Sequence, residues 1–565
     1  MNVALWGFGD FGKRVSESLF RYWGGRYTVA GIYDPSGEAA RAPFWDVGIS
    51  DPGLIGADHE KGVFESVIVC IISEEERTEV IEGLRAAGIP VLFPGDPADF
   101  LPSEEFAPET VETQESCRIY RCREVMAARA DHLSWECVYV FDRSGRILKD
   151  PWSVNDWCDP ELPLIYPFPF REPLPEKIRM PGSWCLLTKM YGNNFWHFTF
   201  QNLCDVLFLE RAGFTGTYII PNASYDRELM LMMGIAPERI ISIEALSHHK
   251  VYVFDEVFGV QFDHRDTLAE AAALSKVAGL IKSRLKPDPS YPKYIYVKRT
   301  GTRKLLNGDE IAERFGFTTI IPEELSVREQ MAYFRNADIV LCPHGANSAN
   351  CLYMHENSVF IEVFSDRWYL DINAGACREN HVHHLKAVGK AAGKAKQGIK
   401  DDCTIPKSRI LLVMKRACSL LPEPPVRPED PDVDLEGFDP AEVCGDCSGM
   451  LIYGAGALGE QACAMVTETY GDKLLGFAVT AMEGNPPEKA GYPVRSIEEW
   501  TKLMAASNVL PGSAVVFLAL NPVYNGGITE GLREKGYKHI FLLEDLEWLY
   551  HQKSKDEAGR RRITP

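Results

Sequence analysis

A short turn of small and polar residues is the part of this sequence that best fits a chemical site. The heptapeptide His344-Gly345-Ala346-Asn347-Ser348-Ala349-Asn350 follows the apolar run Ile339-Val340-Leu341-Cys342. This order predicts a strand, a tight turn and a short helix, and small side chains let backbone N–H groups approach an anion. The helix N-terminus adds about half a positive charge. We predict a phosphate-binding turn, with an ordinary capped strand-to-helix turn as the alternative.

Cations follow a second apolar run in the same way. The run Tyr294-Ile295-Tyr296-Val297 leads directly into Lys298 and Arg299, with Arg303 close behind. Because α/β proteins bind ligands beyond the carboxyl ends of their strands, these cations lie where an anion is expected. Ordinary surface ion pairs are the alternative.

The composition limits the partners of the chain. With 565 residues, the chain is expected to form three or four domains, and 45% hydrophobic residues are enough for packed cores. The net charge of -20 and the pI near 5.2 argue against broad binding to nucleic acids or anionic membranes. An anionic ligand therefore requires a locally basic pocket.

Targeting signals are not evident in the sequence. The N-terminus enters the apolar run Val3-Ala4-Leu5-Trp6 without the pattern of a signal peptide, and no apolar run reaches the length of a membrane span. We therefore expect a cytoplasmic protein. The 15 cysteines are scattered through apolar segments and are expected to be buried thiols.

The N-terminal segment has the pattern of a dinucleotide-binding fold. A predicted strand leads into Gly7, Gly9 and Gly12, and a second strand ends in Asp34, where an acid would hold a ribose. The expected ligand is NAD(P) or another nucleotide. The alternative is a structural or oligomerisation domain whose tight turn requires the glycines, and a homo-oligomer is then expected.

The C-terminal segment repeats this plan. Gly454, Gly456 and Gly459 follow the apolar run Met450-Leu451-Ile452-Tyr453, but Thr480 stands at the position of Asp34, which weakens ribose recognition. Strands alternating with helices between these copies predict parallel sheets in two central lobes. The fold class is therefore α/β. The expected domains are 1–105, 115–415 and 448–555, with a Pro-rich and acidic linker at 416–447.

The motifs at residues 115–400, taken in order, resemble the glycosyltransferase family 61 domain, once catalogued as a domain of unknown function. They are Gly192-Asn193-Asn194-Phe195-Trp196-His197, the cationic strand end at Arg299 and the turn from His344 to Asn350. The resemblance implies a GT-B-like pair of Rossmann-type lobes and a nucleotide-sugar donor. It also implies inverting transfer without a metal, so that no cofactor is required.

The resemblance assigns donor-binding roles. A metal-independent transferase must neutralise the departing diphosphate with fixed donors, and the planar guanidinium matches phosphate oxygens. The donor-binding candidates are Arg299, Arg303, His344, Gly345, Asn347, Asn350 and Glu362, the last as an acceptor for ribose hydroxyls. The His-rich tract at residues 381–384 is expected to be solvated or to contact the donor, rather than to bind a metal.

The resemblance also points to a general base. His197 matches the family's histidine, and inversion requires a base on the acceptor hydroxyl. Family members commonly carry an acid four residues later, where this chain has Gln201. Asp205, one helical turn further on, is a candidate replacement on the same face. A structural hydrogen-bonding histidine is the alternative.

Together these features predict a hexosyl- or pentosyltransferase that moves a sugar from a nucleoside diphosphate to a glycan or lipid-linked acceptor. The expected pathway is surface polysaccharide or capsule synthesis. Two other functions stay open. One is an NAD-dependent oxidoreductase or epimerase acting through the N-terminal glycines, and the other is a non-catalytic scaffold, which the amide at Gln201 leaves open.

Overall fold

The computed structural model of this chain forms two compact units, Met1–Leu285 and Lys286–Pro565. Each unit is described by itself. The described residues are 1–23, 27–35, 45–71, 74–92, 100–101, 109–114, 117–131, 136–141, 147–148, 177–188, 192–247, 250–262, 267–286, 288–393, 400–422, 440–507, 509–521 and 524–550.

The N-terminal segment forms a five-stranded parallel sheet. Its strands lie in the order Ile49–Ser50, Thr28–Tyr33, Asn2–Trp6, Ser66–Val69 and Val91–Leu92. The helices between them are Asp10–Trp23, Ile55–Glu60 and Glu74–Ala86. The first strand is therefore central and the order reverses beside it, as in the nucleotide-binding half of a doubly wound fold.

A nine-stranded mixed sheet completes the first unit. Its strands lie in the order Ile240–Ser242, Thr217–Ile220, Lys177–Leu186, Val251–Phe262, Cys117–Asp131, Glu136–Phe141, Ile147–Leu148 and Phe100–Leu101, and Glu109–Gln114 also pairs with Cys117–Asp131. The first four strands are parallel, but Cys117–Asp131 is antiparallel to both of its neighbours in this order. The expectation of parallel sheets is thus incomplete here. Glu109–Gln114, Cys117–Asp131 and Glu136–Phe141 follow one another closely in the chain, and strands joined by short connections pair antiparallel.

Helices cover the parallel strands of this sheet. They are Phe195–His197, Leu203–Arg211, Asp226–Met233 and Thr267–Lys282, with a π-helical turn at Phe198–Asn202. The first unit as a whole also contains short 3₁₀ turns at Pro52–Leu54, Pro237–Arg239 and Ile243–Ala245. The long helix Thr267–Lys282 packs against both Leu203–Arg211 and Asp226–Met233. These contacts place it in the first unit.

The second unit begins with a six-stranded sheet. Its order is Thr318–Ile320, Tyr294–Val297, Ile339–Pro343, Val359–Ser365, His383–Ala391 and Cys403–Thr404, and only the last strand is antiparallel. The helices are Gly308–Phe315, Val327–Asn336, Ala374–Glu379 and Lys407–Leu420, with 3₁₀ helices at Pro322–Glu324 and Ala346–Tyr353. Apolar side chains cover both faces of the sheet, as a parallel sheet requires.

The C-terminal segment contains a fourth sheet with the plan of the first. Its order is Glu488–Lys489, Tyr492–Ser496, Leu474–Val479, Gly449–Tyr453, Ala514–Leu518 and His539–Leu542. Its helices are Pro440–Cys444, Ala457–Tyr470, Ile497–Ala506, Asn525–Glu534 and residues 543–550, with 3₁₀ turns at Gly471–Lys473 and Pro511–Ser513. The predicted α/β fold class is confirmed by these parallel-rich sheets.

A buried ion-pair cluster joins the two sheets of the second unit. Asp545 accepts hydrogen bonds from Arg409 at 2.6 Å and from Arg416 at 3.0 Å. All three side chains are largely buried. Most of the predicted linker, residues 423–439, lies outside the described residues. None of the described helices combines the length and apolar character that a membrane crossing requires.

Candidate functional site

The turn at residues 344–350 begins at the carboxyl end of a buried strand. Ile339–Pro343 is fully buried, Gly345 has an extended backbone, and Ala346–Tyr353 forms a 3₁₀ helix. The hydroxyl of Ser348 donates to the carbonyl of Gly345 at 2.6 Å, and the Ser348 N–H donates to the same carbonyl at 2.9 Å. The two hydrogen bonds hold the start of the helix close to the strand.

Arg299 lies against this turn. An ideal Cβ built on Gly345 would be 1.9 Å from Nη1 of Arg299 and 2.7 Å from its Cζ. The Nε of Arg299 donates to the carbonyl of Thr302 at 2.8 Å, which fixes the side chain. A side chain at position 345 would therefore displace the guanidinium, which occupies the same space.

Arg303 adds a second cation beside Arg299. It adopts a left-handed backbone with φ of 60°, is half-buried, and its buried Nε has no hydrogen-bond partner. Burial and the positive charge of Arg299 lower the pKa of Arg303 to about 10. Among the described residues, neither arginine has a carboxylate partner, whereas the neighbouring Lys298 pairs with Asp309 at 2.6 Å. Two unneutralised guanidinium groups next to a turn can bind an anion.

A buried carboxylate lies behind the turn. Glu362 is fully buried, and its Oε1 accepts from Nδ1 of His344 at 2.7 Å and from Nδ2 of Asn373 at 2.8 Å. Its Oε2 accepts from Nε2 of His384 at 3.0 Å. Asn373 also donates to the Ser348 hydroxyl at 2.9 Å. This cluster, which we call the Glu362 cluster, connects three strands and the 3₁₀ helix.

The charge of Glu362 is stabilised by its partners. Burial alone would raise the pKa of Glu362, but the hydrogen bonds and charges of His344 and His384 lower it to about 2. Burial works against the charged form of His384, but its anionic neighbours Glu362 and Asp371 and the thiol of Cys377 raise the pKa of His384. Glu362 is therefore an anion, and hydrogen bonds from protein groups occupy both of its oxygens. Its predicted contact with ribose stays a prediction.

The two asparagines of the turn bind to neighbouring elements. Nδ2 of Asn347 donates to Glu323 at 3.2 Å, and Nδ2 of Asn350 donates to Gln330 at 3.2 Å. Asn350 is fully buried and its Oδ1 has no hydrogen-bond partner. Asn347 is half-buried, so a ligand can reach it more easily than Asn350. Their predicted roles at the donor site stay predictions.

In the first unit, His197 lies at the start of a helical segment. The Asn194 side chain caps this segment by accepting from the Trp196 N–H at 2.9 Å. Nδ1 of His197 lies 3.0 Å from Oε1 of Gln201, so the amide occupies the place that we predicted for an acid. Burial lowers the pKa of His197, and the Gln201 hydrogen bond partly offsets this effect. The imidazole is therefore neutral at pH 7, as a general base must be.

The segment between His197 and Asp205 is not a regular α-helix. Residues Phe198–Asn202 form a π-helical turn, which inserts one extra residue and rotates all later positions around the axis. The face shared by His197 and Asp205 in an α-helix is therefore not maintained, and Asp205 is buried. Burial and the nearby charge of Asp205 raise the pKa of the Cys117 thiol.

The glycine turns of the terminal sheets have a common geometry. A Cβ on Gly7 or Gly12 would collide with the carbonyls of Cys70 and Gly7 at 2.9 and 2.1 Å, whereas a Cβ on Gly9 would meet no atom within 4 Å. Asp34 accepts a hydrogen bond from the Phe8 N–H at 2.5 Å. In the C-terminal copy, Gly454 and Gly459 are equally crowded and Gly456 is equally open. The fold therefore requires the outer glycines but leaves space at the middle one.

Sequence reasoning missed part of the site. His384 was expected in a solvated or donor-contacting tract, but its side chain is only 7% exposed and bonds to Glu362. Asn373 and Ser348 were not singled out at all. The available signal was that Glu362 is a charged residue inside an apolar strand, because such a charge needs partners. No group of three or more His, Cys, Asp or Glu side chains in the described part of the chain is placed to hold a metal ion.

Comparison with known families agrees with these motifs. Residues 195–361 match the family model described as Glycosyltransferase 61. The matched segment contains His197, Arg299, Arg303 and the whole turn from His344 to Asn350, and it ends one residue before Glu362. No similar protein was found among the curated proteins. Over residues 195–361 the chain is similar to glycosyltransferase family 61, which confirms the resemblance predicted from its motifs and supports a glycosyltransferase.

Proposed function

We propose that the protein is an inverting, metal-independent glycosyltransferase with a nucleoside-diphosphate sugar as its donor. The diphosphate binds at the turn of residues 344–350. Arg299 and Arg303 neutralise its charge, and backbone N–H groups of the turn donate to its oxygens. The acceptor is a glycan or a lipid-linked glycan, and the product belongs to a surface polysaccharide.

One observation carries this proposal. Arg299 lies against Gly345, Arg303 lies close enough to Arg299 for their charges to interact, and among the described residues no carboxylate neutralises either. Like charges at close range disfavour each other, so a protein that keeps such a pair needs an anion to compensate them. A diphosphate offers several oxygens to both guanidinium groups.

On the acceptor side, we propose His197 as the general base. Because Oε1 of Gln201 is an acceptor, Nδ1 carries the hydrogen of the neutral ring, and Nε2 is the nitrogen that would accept the proton of the acceptor hydroxyl. Gln201 orients the ring but cannot stabilise an imidazolium as a carboxylate would. We therefore expect a weaker base than the acid-bearing pattern of the family provides.

The proposal is tested by ligand binding. UDP, GDP, CDP and NAD(H) are titrated against the full chain by thermal shift and calorimetry, with wild type, Arg299→Ala and Lys298→Ala compared. Lys298 is the matched control, because it carries the same charge at the same strand end but is paired with Asp309. We expect a nucleoside diphosphate to bind wild type and Lys298→Ala, with at least about tenfold weaker binding to Arg299→Ala, the loss of one charge-assisted hydrogen bond.

A second ligand is proposed for the terminal sheets. We propose that NAD(P) or another nucleotide binds at the Gly9 turn, because only the middle glycine of the three is not required by packing. Gly9→Ala should then weaken NAD(H) stabilisation without changing the binding of nucleoside diphosphates. If NAD(H) alone stabilises the wild-type protein, the transferase proposal fails and the oxidoreductase alternative is favoured.

A further inference from the structure

We propose that Glu323 binds the ribose of the donor by accepting hydrogen bonds from its hydroxyl groups, so that the site prefers ribonucleotides to deoxyribonucleotides. Glu323 is exposed and follows the strand Thr318–Ile320, in the same sheet as the strand that leads into the turn at residues 344–350. The inference rests on the proposed function, because it takes a nucleoside diphosphate as the ligand of that turn.

The order of the strands places Glu323 where a ribose is expected. Tyr294–Val297 is the first strand of this sheet in the chain, the second, Thr318–Ile320, lies on one side of it, and the third, Ile339–Pro343, lies on the other. In doubly wound folds the phosphates bind at such a switch point, and an acid beyond the second strand binds the ribose hydroxyls. Arg299 follows the first strand and lies against the turn, and Glu323 lies beyond the second strand.

The N-terminal sheet of the same chain shows the same relationship. Its second strand, Thr28–Tyr33, lies beside its first strand and is followed directly by Asp34. The carboxylate of Asp34 accepts a hydrogen bond from the Phe8 N–H in the glycine turn. In both sheets, therefore, the carboxylate that follows the second strand contacts a turn with the pattern of a phosphate-binding site.

Hydrogen bonds hold the segment around Glu323 against the turn. Nδ2 of Asn347 donates to Oε1 of Glu323 at 3.2 Å, and Nδ2 of Asn350 donates to Oε1 of Gln330 at 3.2 Å. The amide of Gln330 in turn donates to the carbonyl of Pro322 at 2.8 Å. The backbone beside Glu323 is thus fixed, and its carboxylate lies within the length of one side chain from the turn. A ligand group next to the diphosphate can reach it there.

The carboxylate of Glu323 is available to a ligand, whereas others near the turn are occupied. Protein groups donate to both oxygens of Glu362, and Asp371 pairs with Lys386. In the described part of the chain, only Asn347 donates to Glu323. A carboxylate repels a diphosphate, and a neutral part of the ligand that donates hydrogen bonds offsets this repulsion. Ribose hydroxyls are donors of this kind.

Calorimetry with deoxynucleotides tests the inference. The full chain is titrated with whichever of UDP, GDP and CDP binds wild type most tightly, and with the 2′-deoxy and 3′-deoxy forms of that nucleotide. We expect wild type to bind at least one deoxy form about fivefold to tenfold more weakly, the loss of an exposed hydrogen bond to a charged group. These nucleotides carry no transferred sugar, so the preference reports on the ribose alone.

Variants locate the preference. In Glu323→Ala the ribonucleotide and both deoxy forms should bind with nearly equal Kd. Glu324→Ala is the matched control, because Glu324 is an exposed carboxylate on the same 3₁₀ turn, and it should keep the wild-type preference. Both substitutions remove one negative charge, so a general effect on diphosphate binding is the same in the two variants. Arg299→Ala should weaken all three nucleotides, which assigns the binding to the turn and not to the terminal sheets.

The outcomes separate this inference from the proposed function. Failure of UDP, GDP and CDP to bind wild type removes the proposed function itself. Equal binding of the ribonucleotide and both deoxy forms by wild type, or a preference that persists in Glu323→Ala, overturns only the inference.

Discussion

The guanidinium of Arg299 fills the space that any side chain at position 345 would occupy, with Nη1 only 1.9 Å from an ideal Cβ on Gly345. The two residues are far apart in sequence but belong to neighbouring parallel strands that end at the same edge of the sheet. Arg299 thus explains why position 345 is a glycine, and its guanidinium lies beside the start of the turn.

Gly345→Ala should displace Arg299 without unfolding the protein. The backbone of Gly345 is extended, which any residue adopts, and the colliding atoms belong to the end of a flexible side chain. We expect about tenfold to hundredfold weaker UDP binding, equivalent to about 1.5–3 kcal/mol for a hydrogen bond to a charged group. Calorimetry and thermal unfolding measure the two effects.

Gly301→Ala is the control for this substitution, because a Cβ there would meet no atom within 4 Å. It should bind UDP as wild type does. Equal binding by Gly345→Ala and Gly301→Ala would show that the position of Arg299 has no part in donor binding.

Gln201→Glu should strengthen His197 as a base. A carboxylate 3.0 Å from Nδ1 would raise the pKa of His197, which burial now lowers. We expect the acidic limb of the pH profile of kcat/KM to move to higher pH by about one unit and the plateau to rise severalfold. Gln201→Ala, which removes the orienting hydrogen bond, should instead lower kcat. An acidic limb that does not move in Gln201→Glu would exclude His197 as the base.

Asp226→Asn should stabilise the protein more at pH 8 than at pH 5. Asp226 is fully buried, Oδ1 has no hydrogen-bond partner, and burial raises its pKa to about 8. Between pH 4 and 8 the unfolded state loses a proton that the folded state keeps, so stability falls as pH rises through this window. The advantage of Asp226→Asn should therefore grow by about 1.4 kcal/mol for each pH unit between pH 5 and 8, the free energy of one pKa unit.

Thermal unfolding at pH 5 and pH 8 measures this effect. Asp255→Asn, at an exposed pair with Arg179 in the same unit, is the control and should show no such gain. The same gain at both pH values would mean that Asp226 is not the titrating group.

Asp545→Asn should destabilise the second unit. Arg409 and Arg416 both donate to this carboxylate, and Asp545→Asn removes the negative charge that both of these buried cations contact. We expect a loss of about 3–5 kcal/mol. Burial opposes the charged form, but the two arginines hold the pKa of Asp545 below its usual value, so wild-type stability should fall as pH drops below about 4.

Limited proteolysis and thermal unfolding report this loss. Glu498→Gln, in the exposed pair with Lys535, is the control and should change stability by less than about 1 kcal/mol. If Asp545→Asn unfolds at the same temperature as wild type, the ion pairs of Asp545 with Arg409 and Arg416 contribute no net stability.

Local sequence patterns identified the main elements of this protein. The alternation of apolar strands with helices predicted the α/β class, and the glycine patterns at both ends predicted two sheets with the same plan. The order of the motifs at His197, Arg299 and His344 predicted the glycosyltransferase 61 resemblance. These features depend on residues close together in the chain, where spacing alone carries the information.

Only the tertiary structure decided which of these residues meet. The Glu362 cluster joins three strands whose register places Cys342 opposite Glu362 and Phe360 opposite His384. The sequence contains no direct record of this register, so His384 was expected outside the core and Asn373 was not noticed. The turn from His344 to Asn350 was predictable because it is local. Its hydrogen bond to Glu362 was not, because that partner is provided by the packing of neighbouring strands.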